Sequence, residues 1–200
     1  IIAACQNKQV PDTWNVGDSC MMAFGKKNYQ IDIIGKNHDD YADGSGKAPL
    51  TFQMHTTYAT QYKMNGAEYN NCGWKNCMVR MSNAFPALKK VMPAEVVAAL
   101  KAVTKKTTAG GASSAIDTTE DTLFLLSEIE VQGTRTHSYA GEGTQYAYYQ
   151  TAANRKKNRA WYLRSPRISS TTCFCRTGWS GEADWSVASE VDGIAAAWCF

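Results

Sequence analysis

The sequence predicts an α+β domain with two helices and short antiparallel strands, and three observations predict it. Tyr29, Ile31 and Ile33 alternate with Gln30 and Asp32, the two-residue period of a half-buried strand. Pro93 suits the first turn of a helix in which Val96, Val97, Leu100 and Val103 share one face. From Trp161 onward the chain reads as short strands and turns punctuated by Gly178, Gly181 and Gly193. Strands, then helices, then strands again make an α+β arrangement.

Taken in order, residues 1–16 show little periodicity and read as a connector or the end of an upstream region, which places the domain at 17–200. The opening Ile1–Cys5 lacks the basic and long apolar regions of a secretory signal and is expected to be internal to a longer chain. After the strand at Tyr29–Ile33, Asn37–Gly46 breaks the pattern and Pro49–Met54 reads as a second strand. A helix is expected from Trp74 to Val91 and another from Ala94 to Val103. Thr104–Thr118, rich in Thr, Ser, Gly and Ala, reads as an exposed loop. Leu123–Leu126 is a continuous apolar run suited to a buried strand, Gly133–Gly143 is loop-like, and no internal repeat is visible.

Composition excludes several functional classes. The 200 residues are 44% hydrophobic and 20% charged, too apolar for a disordered tail. No stretch approaches the ~18 apolar residues of a membrane span, so no membrane insertion is expected. Lys and Arg number 21 against 18 Asp and Glu, too even a balance for a dedicated nucleic-acid binder. The one dense basic cluster, Arg155, Lys156, Lys157 and Arg159, reads as a solvated loop. Seven cysteines are an odd number, and neither Cys72/Cys77 nor Cys173/Cys175 has a nearby His to complete a zinc site, so buried free thiols are expected.

Reactive constellations are sparse. His38, His55 and His137 lie in unrelated contexts, and neither a nucleophile elbow nor a phosphate-binding glycine loop is present. Glu128 and Glu130, two apart on an expected strand, share one face as paired acid and base carboxylates can, but a solvated strand edge explains them as well. Asn37–Gly46 gathers Asp39, Asp40 and Asp43 with two glycines, hard oxygen donors that suit calcium; Tyr41 occupies a ligand position, so an Asx-rich turn is the preferred reading. No catalytic residue and no cofactor are assigned.

The last segment differs in composition from the rest. Residues 167–200 contain no Lys, Asn, Gln, Met, Tyr or His, whereas residues 1–166 hold fourteen Lys. Small polar residues there interleave with Trp179, Trp185, Arg167, Arg176 and the acids Glu182, Asp184, Glu190 and Asp192. Rigid aromatic anchors among adaptable small groups are the composition of a paratope, although an ordinary exposed sheet with turns has it too.

At Trp161-Tyr162-Leu163-Arg164-Ser165-Pro166, followed by Phe174, Gly181, Ala188-Ser189, Gly193-Ile194-Ala195 and Cys199, the sequence resembles a family of uncharacterised domains of gut bacteria and their phages. Asn37-His38-Asp39, Asp43–Ala48, Leu125–Glu128 and Gly141–Tyr146 match as well, so the resemblance spans 17–200. The tail is also similar to the variable proteins of diversity-generating retroelements, which use a C-type-lectin-like fold shared with formylglycine-generating enzymes. Those systems rewrite adenine-containing codons near the C-terminus; AAC-type templates cannot yield Lys, Gln or Met, which are missing from 167–200, nor Glu or Trp, so Trp179, Glu182, Trp185 and Glu190 require template codons ending in a purine.

The resemblance implies that Trp161, Leu163, Arg164, Pro166, Phe174, Gly181, Ala188, Gly193 and Ala195 are scaffold. It implies a hypervariable surface over 167–192, formed by Arg167, Ile168, Ser170, Thr172, Arg176, Gly178, Trp179, Glu182, Asp184, Trp185, Ser186, Val187, Glu190 and Asp192. The function it implies is non-enzymatic recognition of a protein or cell-surface ligand, displayed on a virion or a bacterial surface or secreted, with oligomeric state left open. Two alternatives stay open beside it: an oxidase related to the formylglycine-generating enzymes, holding copper through Cys173 and Cys175 or Cys175 and Cys199, and a structural adhesin module without a dedicated site.

Overall fold

The first of two larger sheets is closed by both halves of the chain. A computed structural model describes residues 1–200. It begins with helix α1 (Ile2–Gln6), then strands β1 (Ser19–Phe24), β2 (Lys27–Lys36) and β3 (Leu50–Met54). These three strands form an antiparallel sheet completed by β11 (Ala197–Cys199), which brings Trp198 opposite Phe52 and Cys199 opposite Thr51. The alternation at Tyr29, Ile31 and Ile33 lies in β2 with all three side chains buried. The β2–β3 register shifts between Ile33 and Gly35, where a Cβ on Gly35 would lie 2.9 Å from the Tyr146 ring. Trp198 packs among Phe24 and Phe52 in the core.

Between the two halves come β4 (Tyr62–Lys63), the helices α2 (Met78–Met81), α3 (Ala84–Val91) and α4 (Ala94–Ala99), the hairpin β5 (Val103–Gly110) and β6 (Ser113–Asp121), and helix α5 (Glu128–Gln132). The second larger sheet has the order β7-β8-β9, from β7 (Trp161–Pro166), β8 (Cys173–Thr177) and β9 (Ala183–Val187); β10 (Val191–Asp192) pairs with β4. The fold is therefore α+β with mostly small antiparallel sheets. No helix is long and apolar enough to cross a membrane.

Several expected elements differ. The helix expected over 74–91 is two, α2 and α3, because Ser82 and Asn83 interrupt it and the Asn83 side chain accepts the Ala84 N–H. The second helix stops at Ala99, and Val103 begins β5 instead of ending a helix. Thr104–Thr118 is not an exposed loop. Its β-branched threonines form the β5–β6 hairpin, with Thr107 and Thr108 buried and positive φ at Gly111 (61°) and Ala112 (62°) in the two-residue turn. Leu123–Leu126 is fully buried as expected but forms no ladder, only a bridge between Phe124 and Ala197. Residues 1–16, read as a connector, contain α1, bury Cys5 and pack Trp14 on the core.

Two further expectations are corrected by burial. Glu128 and Glu130 lie on α5, not on a strand edge, and both are buried. Ser127-x-x-Glu130 is a capping box: the Ser127 hydroxyl accepts the Glu130 N–H while the Glu130 carboxylate accepts the Ser127 N–H. Ser127→Ala should cost about 1–2 kcal/mol in urea unfolding, since the cap is buried and the hydroxyl also donates to the Glu142 carbonyl. The basic cluster is not a uniformly solvated loop either, because Lys157 is buried and Arg155 donates to the Tyr149 carbonyl and to Gln132.

Candidate functional site

The scaffold positions of the C-terminal third are all interior. Trp161, Leu163, Arg164, Phe174, Ala188 and Ala195 are buried, as are Pro166, Gly181 and Gly193. In the β8–β9 ladder Cys175 faces Trp185 and Arg176 faces Asp184, so Arg176 and Trp185 project from opposite faces of the sheet.

The 167–192 surface is uneven. Trp179 is 67% exposed and Trp185 38%, and Glu182 and Glu190 are also exposed. Arg167, Ile168, Ser170, Thr172, Arg176, Asp184 and Val187 are half-buried. Three positions assigned to the surface do not present side chains to solvent. Ser186 is buried opposite Phe174, Asp192 is buried against Arg176, and Gly178 is buried with no side chain to present; a Cβ there would lie 2.1 Å from the end of the exposed Glu182 side chain, which would have to swing aside.

The charged groups of this region have distinct partners. Arg176 donates from Nε to Asp184 at 2.7 Å and from Nη1 to Asp192 at 2.8 Å. The Glu182 carboxylate accepts the Ser180 N–H at 3.0 Å and its hydroxyl at 2.6 Å, closing the β8–β9 turn. Arg167 instead stacks its guanidinium on the Trp185 ring at 4.2 Å.

Beneath the surface lies a buried ionic network that sequence reasoning placed in solvent. Arg164, fully buried on β7, donates to Glu130 at 2.9 Å through Nη2, to Thr107 Oγ1 at 2.9 Å and to the Leu125 and Glu142 carbonyls at 2.9 Å each. Lys105 on β5 donates to Asp39, to Glu130 at 3.2 Å and to the Tyr146 hydroxyl at 2.9 Å. Burial works to raise both acids, but Arg164 and Lys105 hold Glu130 below the ordinary range, and Lys105 brings Asp39 down to about 2. Glu128 accepts the backbone N–H groups of Thr136, His137 and Ser138 and so shapes the loop whose His137 carbonyl takes the Ile168 N–H. Strand β5, helix α5 and the segments around Leu125 and Glu142 are thereby fixed to β7. The Ser127-x-x-Glu130 spacing was the signal that puts Glu130 on a helix.

The acids of Asn37–Gly46 are similarly engaged within the protein. Asp39 faces Lys105, Thr51 and Tyr146, Asp40 pairs with Lys47 at 3.0 Å, and Asp43 pairs with Lys101 at 3.1 Å while capping the Ser45 N–H. That is the Asx-rich turn. All seven cysteines are free thiols, and Cys5, Cys77, Cys173, Cys175 and Cys199 are buried. Burial pushes the Cys175 and Cys199 thiols well above the ordinary thiol range. No group of three or more His, Cys, Asp or Glu side chains is placed to hold a metal ion.

Cavities lie elsewhere. A polar one of about 480 Å³ is walled by Asp39, Lys105, Glu130 and Arg164, whose charges already neutralise one another. An apolar groove of about 490 Å³ runs between α1, β1 and Trp198. No residue of 167–192 lines a cavity, so the candidate surface is not a concave small-molecule pocket.

Comparison with curated proteins gives no significant match, and comparison with solved structures gives none either. A family profile matches residues 50–199, from the start of β3 to the end of β11, and so takes in Lys105, Glu130 and Arg164 of the buried network and all three strands of the second larger sheet. Since that match covers three quarters of the sequence, the chain belongs to the family described as Domain of unknown function (DUF6273).

Proposed function

We propose that this protein is a binding module in which a C-type-lectin-like scaffold displays the 167–192 surface to a protein or cell-surface ligand, in the manner of the variable proteins of diversity-generating retroelements. The observation that carries the reading is the contrast between frame and face: two solvent-exposed indoles, Trp185 on β9 and Trp179 in the β8–β9 turn, are carried by a sheet whose scaffold side chains are buried. Exposed tryptophans bring large contact area with few rotatable bonds and are enriched at binding hot spots. Half-buried polar residues of the same segment, such as Ser170 and Thr172, supply small hydrogen-bonding groups. The sequence features that support diversification are the residue types missing from 167–200.

Fluorescently labelled protein applied to a panel of gut bacterial strains tests the binding. The reading predicts labelling of at least one strain and a loss of at least about tenfold in the Trp179→Ala/Trp185→Ala double variant, with unfolding free energy lowered by no more than ~1 kcal/mol. Equal labelling by the double variant contradicts it and favours a structural module. Diversification is tested separately by sequencing the locus, where a reverse-transcriptase gene and a near-copy of the terminal coding segment differing at adenines are expected.

A further inference from the structure

We infer that Arg167, held flat on Trp185, is the anchor for a carboxylate of a protein partner, an inference that rests on the display reading above and adds the chemistry of what binds. The argument begins with an unmet donor. Arg80, Arg155, Arg164 and Arg176 all donate side-chain hydrogen bonds to acids or carbonyls. Arg167, like Arg135 and Arg159, donates none from its side chain within the protein, and among the arginines it alone has a buried nitrogen, Nε, without an acceptor. A buried N–H left unpaired is unfavourable, so this guanidinium is not satisfied by the fold itself.

The geometry around it is that of a preorganised fork. The guanidinium lies 4.2 Å from the Trp185 ring centroid, a stack that fixes its plane. Acids do not compete for it: Asp184 and Asp192 are held by Arg176 on the opposite face of the sheet, Glu128 is taken up by the Thr136, His137 and Ser138 N–H groups, and Glu142 by Thr108. A carboxylate arriving from outside would therefore meet two coplanar Nη groups with no internal partner, the arrangement that favours bidentate pairing. Stacking on an indole also removes water from one face of the cation and strengthens its attraction to an anion.

A protein partner fits better than a small acid. The region is not concave, and no cavity of the molecule includes Arg167, Trp179 or Trp185. An arginine stacked on an exposed indole joins two residue types enriched at protein–protein hot spots, whereas small ligands are buried in clefts. The carboxylate is thus assigned to an Asp or Glu side chain on the partner.

The test uses the full chain, ¹⁵N-labelled, and a blocked tetraglutamate peptide as probe at low salt, followed through the Arg167 Nε–Hε and Trp185 indole N–H resonances. Both signals are expected to shift on titration, and the tetraglutamine counterpart is expected to bind at least about tenfold more weakly. Arg167→Lys, which keeps the charge but loses the planar fork, should weaken peptide binding at least about tenfold, while Lys26→Gln on the distant β1–β2 turn should not. Trp185→Phe, which keeps a ring beneath the cation, should bind between the two and guards against a folding defect in the lysine variant. Equal affinity for both peptides, or undiminished binding by Arg167→Lys, overturns the anchor. Binding of oligogalacturonate through Arg167 with no response to the peptide overturns the assignment to a protein partner. If the peptide ignores Arg167 while the double tryptophan variant still loses cell labelling, the anchor fails and the display reading stands; retained labelling by that variant removes the display reading itself.

Discussion

Arg164→Ala is expected to destabilise the protein by about 3–5 kcal/mol, the usual result of removing one partner from a buried ion pair. The cost comes less from lost attraction than from what remains. Glu130, 2% exposed, would keep only Lys105 at 3.2 Å and its capping contact, and the Leu125 and Glu142 carbonyls would each lose a donor. At about 2–4 °C per kcal/mol for a chain of this size, the melting midpoint should fall by roughly 10 °C. Urea unfolding with an unchanged slope is the appropriate measurement. Combining Arg164→Met with Glu130→Gln should cost clearly less than the sum of the two single changes, because each leaves the other's group unpaired. A loss below ~1 kcal/mol for Arg164→Ala would mean that the network does not fix β7 to β5 and α5.

Lys157→Met should change the pH dependence of stability more than any surface substitution. The Nζ donates to the Met54 carbonyl at 2.8 Å and the His55 carbonyl at 2.9 Å, and it lies 5.1 Å from the Trp161 ring. Burial pushes its pKa down to about 7, against a smaller opposing pull from Asp32, which itself faces His55 and Tyr148. Between about pH 7 and the ordinary lysine range, the unfolded chain carries this proton and the folded chain does not. Protons bound by the unfolded state favour unfolding, so this group contributes stability that rises with pH across that window and levels off above it. Relative to Lys157→Met, the parent protein should therefore gain about 1 kcal/mol per pH unit between roughly pH 7.5 and 9.5. Burial raises the thiols of Cys77 and Cys175, which works in the opposite sense at alkaline pH, but those groups are common to both proteins and cancel in the difference. Parallel stability curves would show that Lys157 is charged in the folded state.

Much of the frame is visible in the residues. The alternation at Tyr29, Ile31 and Ile33, the run Leu123–Leu126 and the indoles at Trp161 and Trp198 mark buried positions because apolar side chains recur at the period of their element or in unbroken runs. What escapes is whatever depends on distant partners. Glu130 and Lys105 read as solvent-facing charges, since only the fold brings Arg164 and Asp39 to them. The threonine-rich β5–β6 hairpin reads as a loop because polar β-branched residues satisfy both descriptions until one face is packed. Of the C-terminal surface, the exposed indoles agree with composition, whereas Ser186 and Asp192 fall inside because alternation along a strand turns every second side chain inward.

A substitution scan of 161–200 read out by protease resistance addresses the division between frame and face most directly. Each position is replaced by all other residues in the full chain, and surviving folded protein is counted. Arg167, Ile168, Trp179, Glu182, Val187 and Glu190 should accept most side chains with changes within about 0.5–1 kcal/mol. Trp161, Arg164, Phe174, Ala188 and Ala195 should reject nearly all of them. Equal intolerance across both sets would contradict a replaceable surface carried on a rigid scaffold.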